Sequence, residues 1–289
     1  MLAIIELVLP ILIVILAGYL AARFRILGRE TGNVLSQYLF YFAIPFLTFS
    51  NIYKTGLAEL LNFRFMLAAI LTIFIVIATS YLVFRYLFHF AGQDLIMMIF
   101  GSFYINVAYM GIPIATMVLD SVIPLLIILV LQASILFPII VFLMDMKSGK
   151  KTKYSLKEMA LILVKNPILM ASLIAIASLL LKIEYPKFVL ETAELLGKPA
   201  SVTGLFALGF TCFLPADRKI TKSEIKNALT ATFFKLIYMP SVAWIVGKYV
   251  FQLDRWWLIA IVICAMLPTA INHFIVSQRY LCRENESKI

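Results

Sequence analysis

Long apolar stretches alternate with short polar ones along the whole chain, and roughly 20 consecutive apolar residues are enough to cross a bilayer core as a helix. By that yardstick the sequence predicts spans at Leu2–Ala22, Val34–Ile52, Phe65–Phe88, Leu95–Leu119, Ser121–Met144, Met159–Leu181, Phe188–Leu214, Ile225–Phe251 and Trp256–Ser277. The seventh is interrupted by Gly197 and Pro199, and the polar tail after Arg279 is too short to be a tenth. The first run carries Glu6, lacks a basic leader and is followed by Arg23 and Arg25, so it reads as a retained helix and not as a cleaved signal.

Two of these spans hold residues that a membrane helix should avoid. One reads Asn106-Val107-Ala108-Tyr109-Met110-Gly111-Ile112-Pro113, the other Leu267-Pro268-Thr269-Ala270-Ile271-Asn272-His273. Proline removes an amide donor and clashes with the preceding turn, which frees backbone polar groups at membrane depth. Lipid cannot satisfy such groups; they persist only inside protein or beside a wet cavity. A pair of interrupted spans in corresponding halves is a sequence-level pointer to a transporter's substrate site.

Composition agrees with the span pattern: 63% of the 289 residues are hydrophobic and 14% charged, against about half and a quarter in a soluble domain. The formal charge of +10 would suggest nucleic acid in a soluble protein. Here the basic residues sit in short loops, where they set topology, and no nucleic-acid partner is expected. Seventeen Lys and Arg follow odd-numbered spans and seven follow even-numbered ones, which puts the N-terminus outside and the C-terminal tail in the cytoplasm. Cys212, Cys264 and Cys282 show no paired spacing, so no disulfide, metal site, redox role or cofactor is expected.

The chain also hints at duplication. Leu9-Pro10-Ile11-Leu12 and Asn166-Pro167-Ile168-Leu169 place their prolines 157 residues apart, and Pro113 and Pro268 lie 155 apart. That spacing corresponds to five spans per repeat, and an odd number inverts the second copy. The expected organisation is a first repeat over 1–146, a basic cytoplasmic linker over 147–157 and a second repeat over 158–289 whose final helix is absent.

Asn106 to Pro113, together with Leu267-Pro268-Thr269-Ala270, Asn272, Phe274 and Tyr280, resembles the fourth- and ninth-helix patterns of the auxin efflux carrier family. Asn166-Pro167, and Leu196-Gly197 followed by Pro199, Leu205, Phe206, Leu208 and Gly209, add to the likeness. The family includes bacterial malonate-type carriers and plant auxin exporters. The resemblance implies an all-α integral membrane protein of inverted five-helix repeats with broken crossover helices, similar to bile-acid sodium symporters. It further implies a scaffold panel, a transport domain and elevator-like alternating access for a small organic anion, a carboxylate such as malonate, malate or an auxin-like acid. It places the protein in the lipid bilayer of the cell membrane, and the panel would permit a homodimer.

Asn106 and Asn272 are the leading candidates for substrate contact, since amides hold a carboxylate without the cost of a buried permanent charge. Half-helix N-termini add positive dipole ends. Thr269 offers a hydroxyl beside the break. Tyr109, Met110, Gly111, Pro113 and Pro268 complete the candidate substrate-binding set, as wall, close packing or contact. Lys235 lies inside the eighth span, where an ammonium is costly. It is read either as snorkelling to the cytoplasmic face or as a charge that attracts the anion. His273 is read as structural or as a proton carrier. Two other classes stand beside the carrier: a sensor or scaffold that binds without translocating, and an intramembrane enzyme. Against the enzyme, the spans hold no paired carboxylates and no His-Glu-x-x-His, and the chain has two histidines in all.

Overall fold

The computed structural model describes residues 2–28, 30–55, 62–147, 166–212, 221–270 and 272–280. Within them the chain is helical almost throughout. The helices are α1 (Leu2–Arg23), α2 (31–55), α3 (Phe63–Leu87), α4 (Gly92–Phe103), α5 (107–118) and α6 (Ile123–Lys147), followed by α7 (Pro167–Leu180), α8 (Lys187–Gly197), α9 (Ala200–Cys212), α10 (Lys222–Val250), α11 (Arg255–Met266) and α12 (Asn272–Tyr280). Among the described residues α3, α6 and α10 are long and apolar enough to cross a membrane, while Leu9–Arg23, Tyr109–Val118, α7 and α11 are apolar but shorter. The basic linker beyond Lys147, the loop at 213–220 and the tail after Tyr280 lie outside the described residues. So do Cys282 and the Cys212 side chain; Cys264 is buried as a free thiol.

Both faces of the long helices are apolar. On α3, Phe65, Ala68 and Val76 are fully buried, while Leu67 and Phe74 are exposed. A helix hydrophobic all round belongs in a large core or in lipid, and the exposed half meets what lipid demands of it.

Most prolines in these helices do not break them. Pro45, Pro113, Pro138 and Pro240 each follow a π-helical turn by two residues; the turns are Leu39–Ala43, Val107–Gly111, Gln132–Leu136 and Phe234–Tyr238. The residue before the proline bonds five back where an α-helix would bond four: Ile44 to Leu39, Phe137 to Gln132 and Met239 to Phe234. The wider turn moves aside the carbonyl that the proline ring would strike, and no donor is missed because the register has already shifted. The fourth and ninth spans do resolve into helix pairs, α4 with α5 and α11 with α12. In the fourth, however, the interruption falls at Tyr104–Asn106, and Pro113 lies inside α5.

Matched ends recur across the chain. After α1, Phe24, Arg25 and Ile26 donate to Leu20, Ala22 and Ala21; after α7, Leu181, Lys182 and Ile183 donate to Ala177, Leu179 and Ser178. Arg25 and Lys182 both take the left-handed conformation, at φ 55° and 53°. These pairs are 157 residues apart, as are Pro10 and Pro167. The ends of α3 and α10 share a second pattern. Phe88 donates to Val83 and Phe90 to Phe84; Phe251 donates to Val246 and Leu253 to Gly247. His89 and Gln252 sit at φ 57° and 48°. Here the separation is 163. A left-handed residue of this kind closes a helix by satisfying its last carbonyls, at a cost for any residue but glycine.

Two compact units form. Unit 1 gathers Met1–Leu61, Val107–Val130 and Leu163–Pro215. In it α1 lies against α9 and α2 against α7 and α8. Gly18 meets the Phe206 carbonyl, and Gly209 that of Ile15, with no room for a Cβ on either. At the end of α2, Lys54 pairs with Glu194 at 2.6 Å and the Tyr53 hydroxyl donates to the Ile183 carbonyl at 2.7 Å. Unit 2 gathers Asn62–Asn106, Leu131–Ile162 and Ala216–Ile289. Its core includes Phe65, Phe84, Met97 and Phe100, with Phe65 on Trp257 (4.9 Å between rings) and Phe84 on Phe234 (6.0 Å).

Candidate functional site

In unit 2 the two interruptions meet. Helix α4 ends at Phe103, and Tyr104 turns extended at φ −76°, ψ 124°. Helix α11 ends at Met266, and Leu267 turns extended at φ −63°, ψ 142°, as a residue before proline prefers. Ile105 and Thr269 then form an antiparallel bridge, and the Asn106 N–H donates to the Pro268 carbonyl at 2.9 Å. At membrane depth every released backbone group needs a protein partner. Each break supplies part of the other's.

Side chains supply further bonds. Gln132 donates from Nε2 to the Ile105 carbonyl at 3.0 Å, and the Thr269 hydroxyl donates to the Gly101 carbonyl at 2.6 Å. Lys235 donates from Nζ to the Ala265 carbonyl at 2.7 Å. That carbonyl is one of the last in α11, where the helix leaves acceptors without intrahelical donors and where the dipole favours a cation. The Tyr104 hydroxyl is hydrogen-bonded to the Asn272 side chain. His273 Nε2 lies 2.9 Å from the Met97 carbonyl; a carbonyl only accepts, so Nε2 carries the hydrogen. The His273 ring lies beside Phe100 (5.3 Å) and over Gly101, where a Cβ would stand 3.1 Å from Nε2.

The structure thus brings together Asn106, Pro268, Thr269, Asn272, His273 and Lys235, all in unit 2. Asn106 is 2% exposed and Asn272 half-buried. Lys235, at 1% exposed, does not snorkel: its amine ends on a carbonyl inside the protein. The Thr269 hydroxyl, expected to be free, has its hydrogen engaged. Tyr109, Met110, Gly111 and Pro113 fall in unit 1 on α5. There Tyr109 is buried with its hydroxyl bonded to Ser36, and Met110 is half-buried. Sequence reasoning missed Tyr104, Gly101 and Gln132. Gln132 carried the signal already used for Asn106, a lone amide in mid-span. Tyr104 and Gly101 carry no local signal.

Discontinuous helices joined through their breaks inside a helical membrane protein are a construction of transport proteins. The chain matches, over residues 3–288, a family described as "Membrane transport protein", and it belongs to this family, the auxin efflux carriers that its motifs resemble. A protein of Rhizobium meliloti (strain 1021) named "Putative malonate transporter" is 27% identical over 278 residues, covering 95% of this chain and 86% of that one. The "Uncharacterized transporter YfdV" of Escherichia coli (strain K12) is 24% identical over 282 residues, covering 94% and 87%. The same protein name recurs in Shigella flexneri at the same identity.

Proposed function

We propose that this membrane transport protein is a secondary carrier of a small organic anion, a dicarboxylate of the malonate or malate class, working by elevator-like alternating access. The crossing in unit 2 carries the reading. Asn106 and Asn272 stand one on each side of the Ile105–Thr269 bridge, and α12 begins at the crossing with its positive end. Two amides and a dipole end attract a carboxylate yet let it leave, because no buried countercharge must be stripped from it. The malonate transporter named in Rhizobium meliloti supports a dicarboxylate as the first anion to try.

The inverted repeat belongs to the same reading and is supported by the matched helix ends at 157 and 163 residues. The grouping of α1, α2, α7, α8 and α9, with α5 and the first part of α6, apart from α3, α4, α10, α11 and α12 supports two bodies, although the plan of scaffold and moving domain would place α5 and α6 with the second. Tyr109, Met110, Gly111 and Pro113, on α5, are proposed as further substrate-binding residues. The basic loops support a cell-membrane protein with its N-terminus outside and its tail in the cytoplasm. The scaffold unit is the surface proposed for a homodimer.

Uptake of labelled malonate and malate into proteoliposomes tests the site. Asn106→Ala and Asn272→Ala are each expected to lower uptake about tenfold or more, because each removes an amide proposed to hold the bound anion. Unchanged uptake in both variants would remove these amides from the substrate site.

A further inference from the structure

Helix α12 is anchored at its far end as well as at the crossing. His273, Val276, Ser277 and Tyr280 recur at helical spacing along one face; Val276 and Ser277 are at most 2% exposed, and His273 9%. The first of the four bonds the Met97 carbonyl of α4. The last reaches α6: the Tyr280 hydroxyl donates to Asp145 Oδ1 at 2.6 Å, a charge-assisted length. Asp145 is 5% exposed. The same turn of α6 is tied to α4 from the other side, where Gln93 Nε2 donates to the Met144 carbonyl at 3.1 Å.

We propose that Tyr280 and Asp145 are positioning residues for the crossing, setting the seat of α12 so that Asn272, at its opposite end, meets Tyr104. The proposal rests on Asn272 being a substrate contact. A helix of nine residues is a rod about 13 Å long. A shift at one end of so short a rod is passed to the other, since no bend or proline lies between them. Its near end is held by bonds to backbone carbonyls, from His273 Nε2 to Met97 and from the His273 N–H to Ala270. At the far end the Tyr280 hydroxyl holds the helix to Asp145 on α6.

Three variants separate this from simple stabilisation. Tyr280→Phe keeps the ring and loses the donor; Asp145→Asn keeps an acceptor for Tyr280 and loses the charge; Asp145→Ala loses both. Amide hydrogen exchange on the purified full chain is read first. Tyr280→Phe is expected to speed exchange at 273–276 about fivefold, while Asp145→Asn stays near the parent. In malonate uptake, Tyr280→Phe is expected to raise KM about fivefold with the maximal rate little changed, and Asp145→Asn to leave KM near that of the parent. Faster exchange confined to 278–280, or an unaltered KM in a transporting parent, overturns the anchoring role. Absence of uptake in the parent counts against the carrier reading, and the exchange pattern then decides the anchor by itself. Asp145→Ala serves as the upper bound, and the two conservative variants decide if it fails to fold.

Discussion

Where α1 crosses α9 in unit 1, backbone lies on backbone: Gly18 faces the Phe206 carbonyl and Gly209 that of Ile15, with no space for a side chain. Gly197 is nearly as tight, its Cβ position 2.8 Å from the Leu47 backbone. In unit 2 the helices are joined by side chains that reach across to carbonyls, Gln132 to Ile105, Thr269 to Gly101, His273 to Met97 and Lys235 to Ala265. Membrane helices have both means of association open to them, close approach through small residues and polar bonds between helices. The two differ in what they permit. A glycine contact has no partner to exchange, so it fixes one distance. A side-chain bond to a carbonyl can be surrendered to a substrate or to another carbonyl. The unit built on exchangeable bonds is the one that holds the crossing.

That contrast is open to direct attack. The largest effect is expected from Gly209→Val, which drives a branched side chain into the Ile15 carbonyl; overpacking costs about 1–3 kcal/mol and more against backbone. Loss of monodisperse protein in detergent is the expected result, and a parent-like melt would break the account of unit 1. Next comes Gln132→Leu. It leaves the buried Ile105 carbonyl without its side-chain donor, a loss of about 1–3 kcal/mol that is read as a lower melting temperature together with reduced uptake. Thr269→Val removes one donor from a half-buried hydroxyl at nearly constant shape, and about 1 kcal/mol is expected. Its uptake should fall more than its melting temperature, since the bond lies at the crossing. The smallest effect is expected from Lys54→Met. Its pair with Glu194 is half open to solvent, and such pairs contribute about 0–1 kcal/mol. A larger loss there than in Gln132→Leu would reverse the comparison.

The sequence made the ninth break legible because the cause is local: Pro268 forbids the helix and pushes Leu267 extended. It misplaced the fourth. Nothing in Tyr104-Ile105-Asn106 is a helix breaker, and the partner that holds these residues extended, Pro268, is 162 residues away. Pro113 drew attention instead, yet a π-turn of five residues absorbs it without interruption. Asn106 and Asn272 were legible as amides stranded in apolar runs. The engagement of Thr269 and Lys235 was not, because carbonyl partners leave no mark in a sequence. Family membership was legible from spaced motifs and agrees with the match over residues 3–288.

The paired helix ends carry one more consequence, for anyone who lays one half of the chain upon the other. Arg25 matches Lys182 at 157 residues, but His89 matches Gln252 at 163. No ungapped alignment can honour both. A ruler set by the first pair misplaces the second by six residues, more than one and a half helical turns, and so turns the wrong side chains toward one another. Under the longer spacing Pro268 falls opposite Ile105, not Pro113. Pro10 and Pro167 keep the spacing of the first pair of helix ends, whereas Pro113 and Pro268, 155 apart, follow neither spacing.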